Sequence, residues 1–117
     1  MRILLVDDEP LDLFIAKKQL SLEYEVSAFT TSTEMISWAK QNEFDIALID
    51  YYLGPDLGSD VLKALISETG KKFKAYLLTN FVDPQQELAL RAAGFDDVIF
   101  KPLTVEKLKN HLNGDSK

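Results

Sequence analysis

The sequence predicts a doubly wound α/β fold, a five-stranded parallel sheet with five helices. Short apolar runs alternate with longer amphipathic stretches over the whole chain, the pattern of strands joined by helical crossovers. Most of the runs are apolar at every position, as a parallel strand covered on both faces requires. No repeat, linker or low-complexity segment interrupts the alternation.

Four runs read as buried strands: 3–6, 46–49, 75–78 and 98–100. A fifth strand is expected over 24–29, where Tyr24, Val26 and Ala28 alternate with Glu25 and Ser27. Helical spacing occupies 10–22, 31–42, 59–69, 84–93 and 104–112. Pro10 suits a first helical turn, Ser32 or Thr33 can cap the second helix, and Asp83 before Pro84 gives a cap followed by a first-turn proline. Thr104 opens the last helix, while Gly70 and Gly94 stand where the third and fourth should stop. Residues 1–114 thus read as one domain and 115–117 as a tail.

Composition narrows the functional classes. A chain of 117 residues fits one domain, and a hydrophobic fraction of 46% is ample for a core. The net charge of −6 argues against nucleic acid or an anionic membrane as a direct partner. It suits a chain that binds cations or docks on a basic or apolar protein surface. With no cysteine there is no disulfide framework and no thiolate chemistry. The apolar run near the start is too short for a signal peptide or a membrane span, so a cytoplasmic protein is expected.

In open parallel sheets ligands bind beyond the carboxyl ends of the strands. After the first run come Asp7, Asp8 and Glu9; the third ends in Asp50, the fourth in Thr79 and Asn80, and the fifth in Lys101 and Pro102. Folding brings these together, and clustered carboxylates repel unless a cation binds or one stays protonated. A hard divalent ion with oxygen ligands, Mg²⁺ above all, relieves the repulsion. One carboxylate can then attack phosphorus, with Lys101 neutralising phosphoryl oxygens and the Thr79 hydroxyl donating to them.

The set Val6-Asp7-Asp8-Glu9, Leu48-Ile49-Asp50, Leu78-Thr79-Asn80 and Lys101-Pro102-Leu103 resembles the receiver domain of two-component response regulators, of the chemotaxis-regulator kind. The resemblance spans about residues 1–113. It implies a flavodoxin-like sheet of order 2-1-3-4-5. It makes Asp50 the phospho-acceptor and Asp8 a direct Mg²⁺ ligand, with Asp7 acting largely through water and the Tyr52 carbonyl completing the site. Thr79 and Lys101 would contact the phosphoryl group, and the Lys101–Pro102 peptide is often cis in such domains. The phosphoryl donor would be a phosphohistidine on a sensor histidine kinase or a histidine phosphotransfer protein. The domain would not be an enzyme with turnover: it assists only its own phosphorylation and dephosphorylation. A monomer or a weak phosphorylation-dependent dimer is expected.

Four features depart from the family pattern. Val98 stands where an aromatic residue usually reports phosphorylation, and Asn80 stands where the family has a small residue. Phe81 and Tyr52 place bulky rings on opposite rims, and the loop 53–58 lacks a proline directly after Leu53. A receiver-like protein-binding module that works without phosphorylation is the alternative, which Val98 favours slightly. A small aspartyl phosphatase would need a second aspartate two residues past Asp50, where Tyr52 stands. A flavodoxin-like cofactor binder would need a Gly-rich phosphate loop after the first strand. Asp7 and Asp8 also suit helix capping, and Lys101 a surface turn. His111, Glu106, Lys107 and Lys109 are expected in solvent. In the first helix Leu11, Ile15 and Leu22 fall on one side with Phe14 on its flank, opposite Leu13, Ala16 and Leu20. Some of Leu11, Leu13 and Phe14 should therefore be exposed.

Overall fold

The apolar runs pair side by side as parallel strands, and their alternate residues feed two separate cores. The computed structural model describes residues 1–114. Its elements run β1 (Arg2–Val6), α1 (Pro10–Leu20), β2 (Glu25–Phe29), α2 (Ser32–Gln41), β3 (Ile46–Asp50), β4 (Tyr52–Leu53), β5 (Asp56–Leu57), α3 (Gly58–Thr69), β6 (Lys74–Thr79), α4 (Pro84–Ala92), β7 (Asp97–Phe100) and α5 (Val105–Gly114). The main sheet has the order β2-β1-β3-β6-β7, with every neighbouring pair parallel. Counting main-sheet strands alone, that is the expected 2-1-3-4-5. The residues 115–117, read as a tail, lie outside the described part.

Because side chains alternate across a strand, Leu4, Val6, Ala47, Ile49, Ala75 and Leu77 face one side of the sheet. There they meet Met35 and Ala39 of α2, Leu62 and Leu65 of α3 and Leu90 of α4. Ile3, Leu5, Ile46, Leu48, Tyr76 and Ile99 face the other side, against Leu13, Ala16 and Leu20 of α1 and Leu108 of α5. The two layers place α1 and α5 together on one face. Their ends therefore border the site from that side.

Helix boundaries follow the expected chemistry with local changes. Asp83 and Gln86 form a reciprocal capping box ahead of α4, and the Thr104 hydroxyl accepts the Lys107 N–H at 3.1 Å. The cap of α2 is Thr31, not Ser32 or Thr33: its hydroxyl accepts the Glu34 N–H and donates to the Glu34 carboxylate. Helix α1 stops at Leu20 rather than 22, because the Tyr24 N–H returns to the Leu20 carbonyl and turns the chain into β2. That leaves Leu22 exposed, together with Leu11, Phe14 and Ile15, while Leu13 belongs to the core.

Two side chains expected in solvent have structural partners instead. β7 lies at the edge of the sheet, and an edge strand needs its free polar groups covered. His111 is half-buried, with Nε2 3.1 Å from the Val98 carbonyl and Nδ1 2.9 Å from the Lys107 carbonyl. Its ring stands edge-on to Tyr76, with centroids 5.9 Å apart. The Lys107 ammonium donates to the carbonyls of Phe100 and Pro102, both at 2.9 Å. Lys109 stays on the surface and pairs with Glu23 at 2.6 Å. Among the described residues, no helix is long and apolar enough to cross a membrane.

Candidate functional site: an acid cluster at the strand ends

Parallel strands end together, so the residues that follow them converge. Asp7 follows β1 and is almost fully buried, 3% exposed. Its Oδ1 accepts the Glu9 N–H at 3.0 Å, and its Oδ2 accepts the Lys101 ammonium at 3.1 Å. Asp8 is exposed, and its Oδ2 accepts the Gly54 N–H at 2.7 Å. Asp50 ends β3 with Oδ1 3.3 Å from the Lys101 Nζ. One carboxylate oxygen from each of Asp7, Asp8 and Asp50 lies within 4.8 Å of the other two. Lys101 follows β7, its N–H bound to the Thr79 carbonyl at 2.9 Å, and the Lys101–Pro102 peptide is cis.

The electrostatics record this crowding. Burial, and next the charge of Asp7, push the Asp50 carboxyl up to about 6, although Lys101 pulls it the other way. Burial works against the charge on Lys101. Its hydrogen bond to Asp7 and the charges of Asp50 and Asp7 outweigh that and raise it above its ordinary value. Three carboxylates against one ammonium leave a surplus of negative charge. Oxygen donors of this kind suit a hard divalent cation, so the residues present fit a metal of the Mg²⁺ or Ca²⁺ class.

A cavity of about 330 Å³ opens over Asp50, lined also by Thr79, Lys101 and, at its mouth, Tyr52, Asn80 and Phe81. The Thr79 side chain is buried, and its hydroxyl donates to the carbonyl of Phe81 at 3.1 Å. Tyr52 is 63% exposed and Phe81 75%, so two aromatic rings form an uncovered rim. Val98 is buried in the core and carries no ring, whereas Phe100, two residues on, is half exposed.

Three features of the site went unread in the sequence. Asp12, in the first turn of α1, brings a further carboxylate 3.6 Å from Lys101. The loop after Asp50 folds into a small antiparallel hairpin, β4 with β5, which positive-φ Gly54 turns and Asp8 ties to the acid pair. Gly58 opens α3 directly beneath Asp50, its N–H bound to the Tyr51 carbonyl at 2.7 Å. The one available signal for the last two was the glycine pair flanking Pro55, Asp56 and Leu57.

Known proteins share this fold. The family model for the response regulator receiver domain matches residues 3–113. A two-component response regulator named PhoP from Pseudomonas aeruginosa is 32% identical over 114 residues, covering 97% of this chain and 50% of that protein. The sensor protein EvgS of Escherichia coli is 25% identical over 97% of this chain, but the match takes in 9% of that protein. The chain thus spans half or less of these curated relatives. Among solved structures, a CheY-like receiver domain protein from Methanospirillum hungatei matches with a TM-score of 0.82 and 28% identity, covering 98% of this chain and 95% of that one. A response regulator from Burkholderia pseudomallei, solved with a phosphorylated aspartic acid and a calcium ion, shares the fold with a TM-score of 0.83 at 19% identity, covering 98% and 72%. With every strand-end motif inside the matched span, the chain belongs to the response regulator receiver domains of two-component signal transduction.

Proposed function

We propose that this receiver domain is phosphorylated on Asp50 by a phosphohistidine of a sensor histidine kinase or a histidine phosphotransfer protein. The observation that carries this is the placement of Lys101, whose ammonium lies within 3.3 Å of both Asp50 and Asp7 at the floor of an open cavity. An Asp50 oxygen attacks phosphorus, the phosphorus–nitrogen bond breaks, and its electron pair returns to the imidazole, which takes up a proton. Lys101 neutralises the phosphoryl oxygens, and the Thr79 hydroxyl turns from the Phe81 carbonyl to donate to one of them. Later a water attacks the same phosphorus and returns Asp50 as the free carboxylate with inorganic phosphate. Between these two steps the protein itself carries the phosphoryl group, and that modified state, not a released product, is the signal.

Mg²⁺ is the proposed metal, held by Asp8 and Asp50 with the Tyr52 carbonyl and by Asp7 through water. When bound, it supplies positive charge against the phosphoryl oxygens. The calcium and the phosphorylated aspartic acid of the Burkholderia protein support this by analogy, and the sensor proteins among the relatives support a kinase as donor. On this basis the domain works in the cytoplasm. Incubation with a small phosphodonor and Mg²⁺ should add one phosphoryl group by intact mass, and Asp50→Asn should remain unmodified. Equal labelling of the two proteins would remove Asp50 from its role. A wild type that never labels but still binds partners would favour the phosphorylation-independent module.

A further inference from the structure

Lys101 stands at the boundary of two cavities. One, of about 330 Å³, contains Asp50 and Thr79. The other, of about 280 Å³, lies between α1 and the start of α5 and contains Asp7, Asp12, Ile15 and Leu103. The ammonium is surrounded by three carboxylates: Asp7 at 3.1 Å, Asp50 at 3.3 Å and Asp12 at 3.6 Å. These three are not equivalent. Asp7 and Asp50 also belong to the trio whose oxygens converge for a metal, while Asp12 stands outside it. The side chains of Asp7 and Asp50 are 4% and 11% exposed, that of Asp12 51%.

The difference matters once a cation enters the trio. It draws on the same two carboxylates that hold Lys101, and it repels the ammonium at short range. The lysine then needs another anion within reach, or it leaves for solvent. Asp12 is the carboxylate that the metal does not engage, and the second cavity gives the side chain room to turn toward it.

We propose that Asp12 is a positioning residue for Lys101, holding the ammonium beside the site while a divalent cation occupies Asp7, Asp8 and Asp50. This rests on the metal site of the proposed function. From that station Lys101 returns to Asp50 when a phosphoryl group arrives and supplies new negative oxygens. Asp12 thereby separates two demands on the same ammonium, which must give way to one cation and yet stay close enough to act.

The test is a double-mutant cycle of Asp12→Asn and Lys101→Met, with the Mg²⁺ dissociation constant measured calorimetrically for all four proteins. Lys101→Gln replaces Lys101→Met if the latter does not fold. At physiological ionic strength, where through-solvent effects beyond about 8 Å are damped, Asp12→Asn should weaken Mg²⁺ binding about 3- to 10-fold while Lys101 is present. With Lys101 replaced, the same change should cost about 2-fold or less, the residue of simple charge removal. The second readout is unfolding of the same four proteins in chelator and in Mg²⁺. The coupling between Asp12 and Lys101 should be larger in Mg²⁺, whereas an ordinary surface ion pair would be indifferent to the metal. Equal effects of Asp12→Asn in both lysine backgrounds, or a coupling unchanged by Mg²⁺, would overturn the assignment and leave the metal site standing. A wild type that binds no Mg²⁺ would overturn both.

Discussion

The acid floor of the site and its aromatic rim are two residues apart in the chain at two places, Asp50 to Tyr52 and Thr79 to Phe81, and they are built on opposite terms. On the floor every group is held by another: Lys101 by Asp7 and Asp50, Asp8 by the Gly54 N–H, Thr79 by Phe81. Among the described residues, no buried side-chain polar atom lacks a partner. The rim is the reverse. Tyr52 leans edge-on against Tyr51 but is otherwise open to solvent, and Phe81 is more exposed still. A change on the floor therefore disturbs several charges at once, whereas a change on the rim alters access alone. On the proposed function, chemistry belongs to the first region, and lifetime and contact belong to the second.

The strongest way to break this contrast is to remove the strain from the floor. The Asp50 carboxyl sits near 6 in the folded protein against an ordinary 3.8, so the fold prefers it protonated. Stability from that preference is fully present below the ordinary value and is lost as pH rises through about 6. A rise of about two units at about 1.4 kcal/mol each makes the charged form cost on the order of 3 kcal/mol. In chelator at pH 7, Asp50→Asn should then be more stable than wild type by about 1 to 2 kcal/mol, since losing the Lys101 contact offsets part of the gain. The advantage should vanish near pH 4. Denaturant titrations of both proteins from pH 4 to 8 measure it, and millimolar Mg²⁺ should favour wild type. A variant less stable than wild type at pH 7 would mean that the floor carries no strain.

Steric support for the floor gives an effect of similar size. A Cβ at Gly58 would stand 2.7 Å from the Asp50 carbonyl oxygen and 3.0 Å from Leu77 Cδ1, so backbone beneath the acceptor must move. Gly58→Ala should cost about 2 kcal/mol, by analogy with overpacking, and should slow labelling of Asp50 as well. Gly54, whose N–H reaches Asp8 at the edge of the floor, offers a comparison. Nothing lies within 4 Å of a Cβ there, but its φ of +63° disfavours one, so Gly54→Ala should cost about 1 kcal/mol. Melting curves and labelling rates of the two variants separate crowding from backbone preference. Equal slowing of labelling in both would deny Gly58 its particular support of the acceptor.

The same contrast explains what the sequence could and could not disclose. Strand ends are easy to find because each apolar run stops at a charged or polar residue, and topology then brings Asp7, Asp8, Asp50 and Lys101 together without further information. Asp12 is different. Its approach to Lys101 depends on the rotation of α1, and apolar residues on both sides of that helix leave the rotation undetermined. His111 and Lys107 look like surface residues until β7 is known to be an edge strand with carbonyls to cover. The two-residue strands β4 and β5 are too short for any periodicity, and a tertiary contact from Asp8 braces their turn. Thr30, Thr31, Ser32 and Thr33 are four hydroxyl residues in a row, and the reciprocal bond with Glu34 selects the second.

The rim acts on a rate rather than on stability. Hydrolysis of a phosphoryl group on Asp50 needs a water in line with the oxygen–phosphorus bond, arriving through the mouth of the 330 Å³ cavity. Tyr52 and Phe81 flank that mouth, and Asn80 lies between Phe81 and the buried Thr79. Two rings there should displace or disorder the water while leaving Lys101 and the acid cluster untouched. The phosphorylated state should then outlive that of the variants Tyr52→Asn and Phe81→Glu, in which a polar group can hold the water. A tenfold faster loss of phosphate corresponds to about 1.4 kcal/mol, a scale that one reoriented water can supply. Since Val98 has no ring to rotate, the change in the phosphorylated protein should pass through Thr79, Phe81 and α4. Amide exchange over residues 80–93 should therefore respond more than exchange in β7. Following phosphate loss in wild type and both variants decides the first point: equal lifetimes in all three would show that the rim does not gate the water.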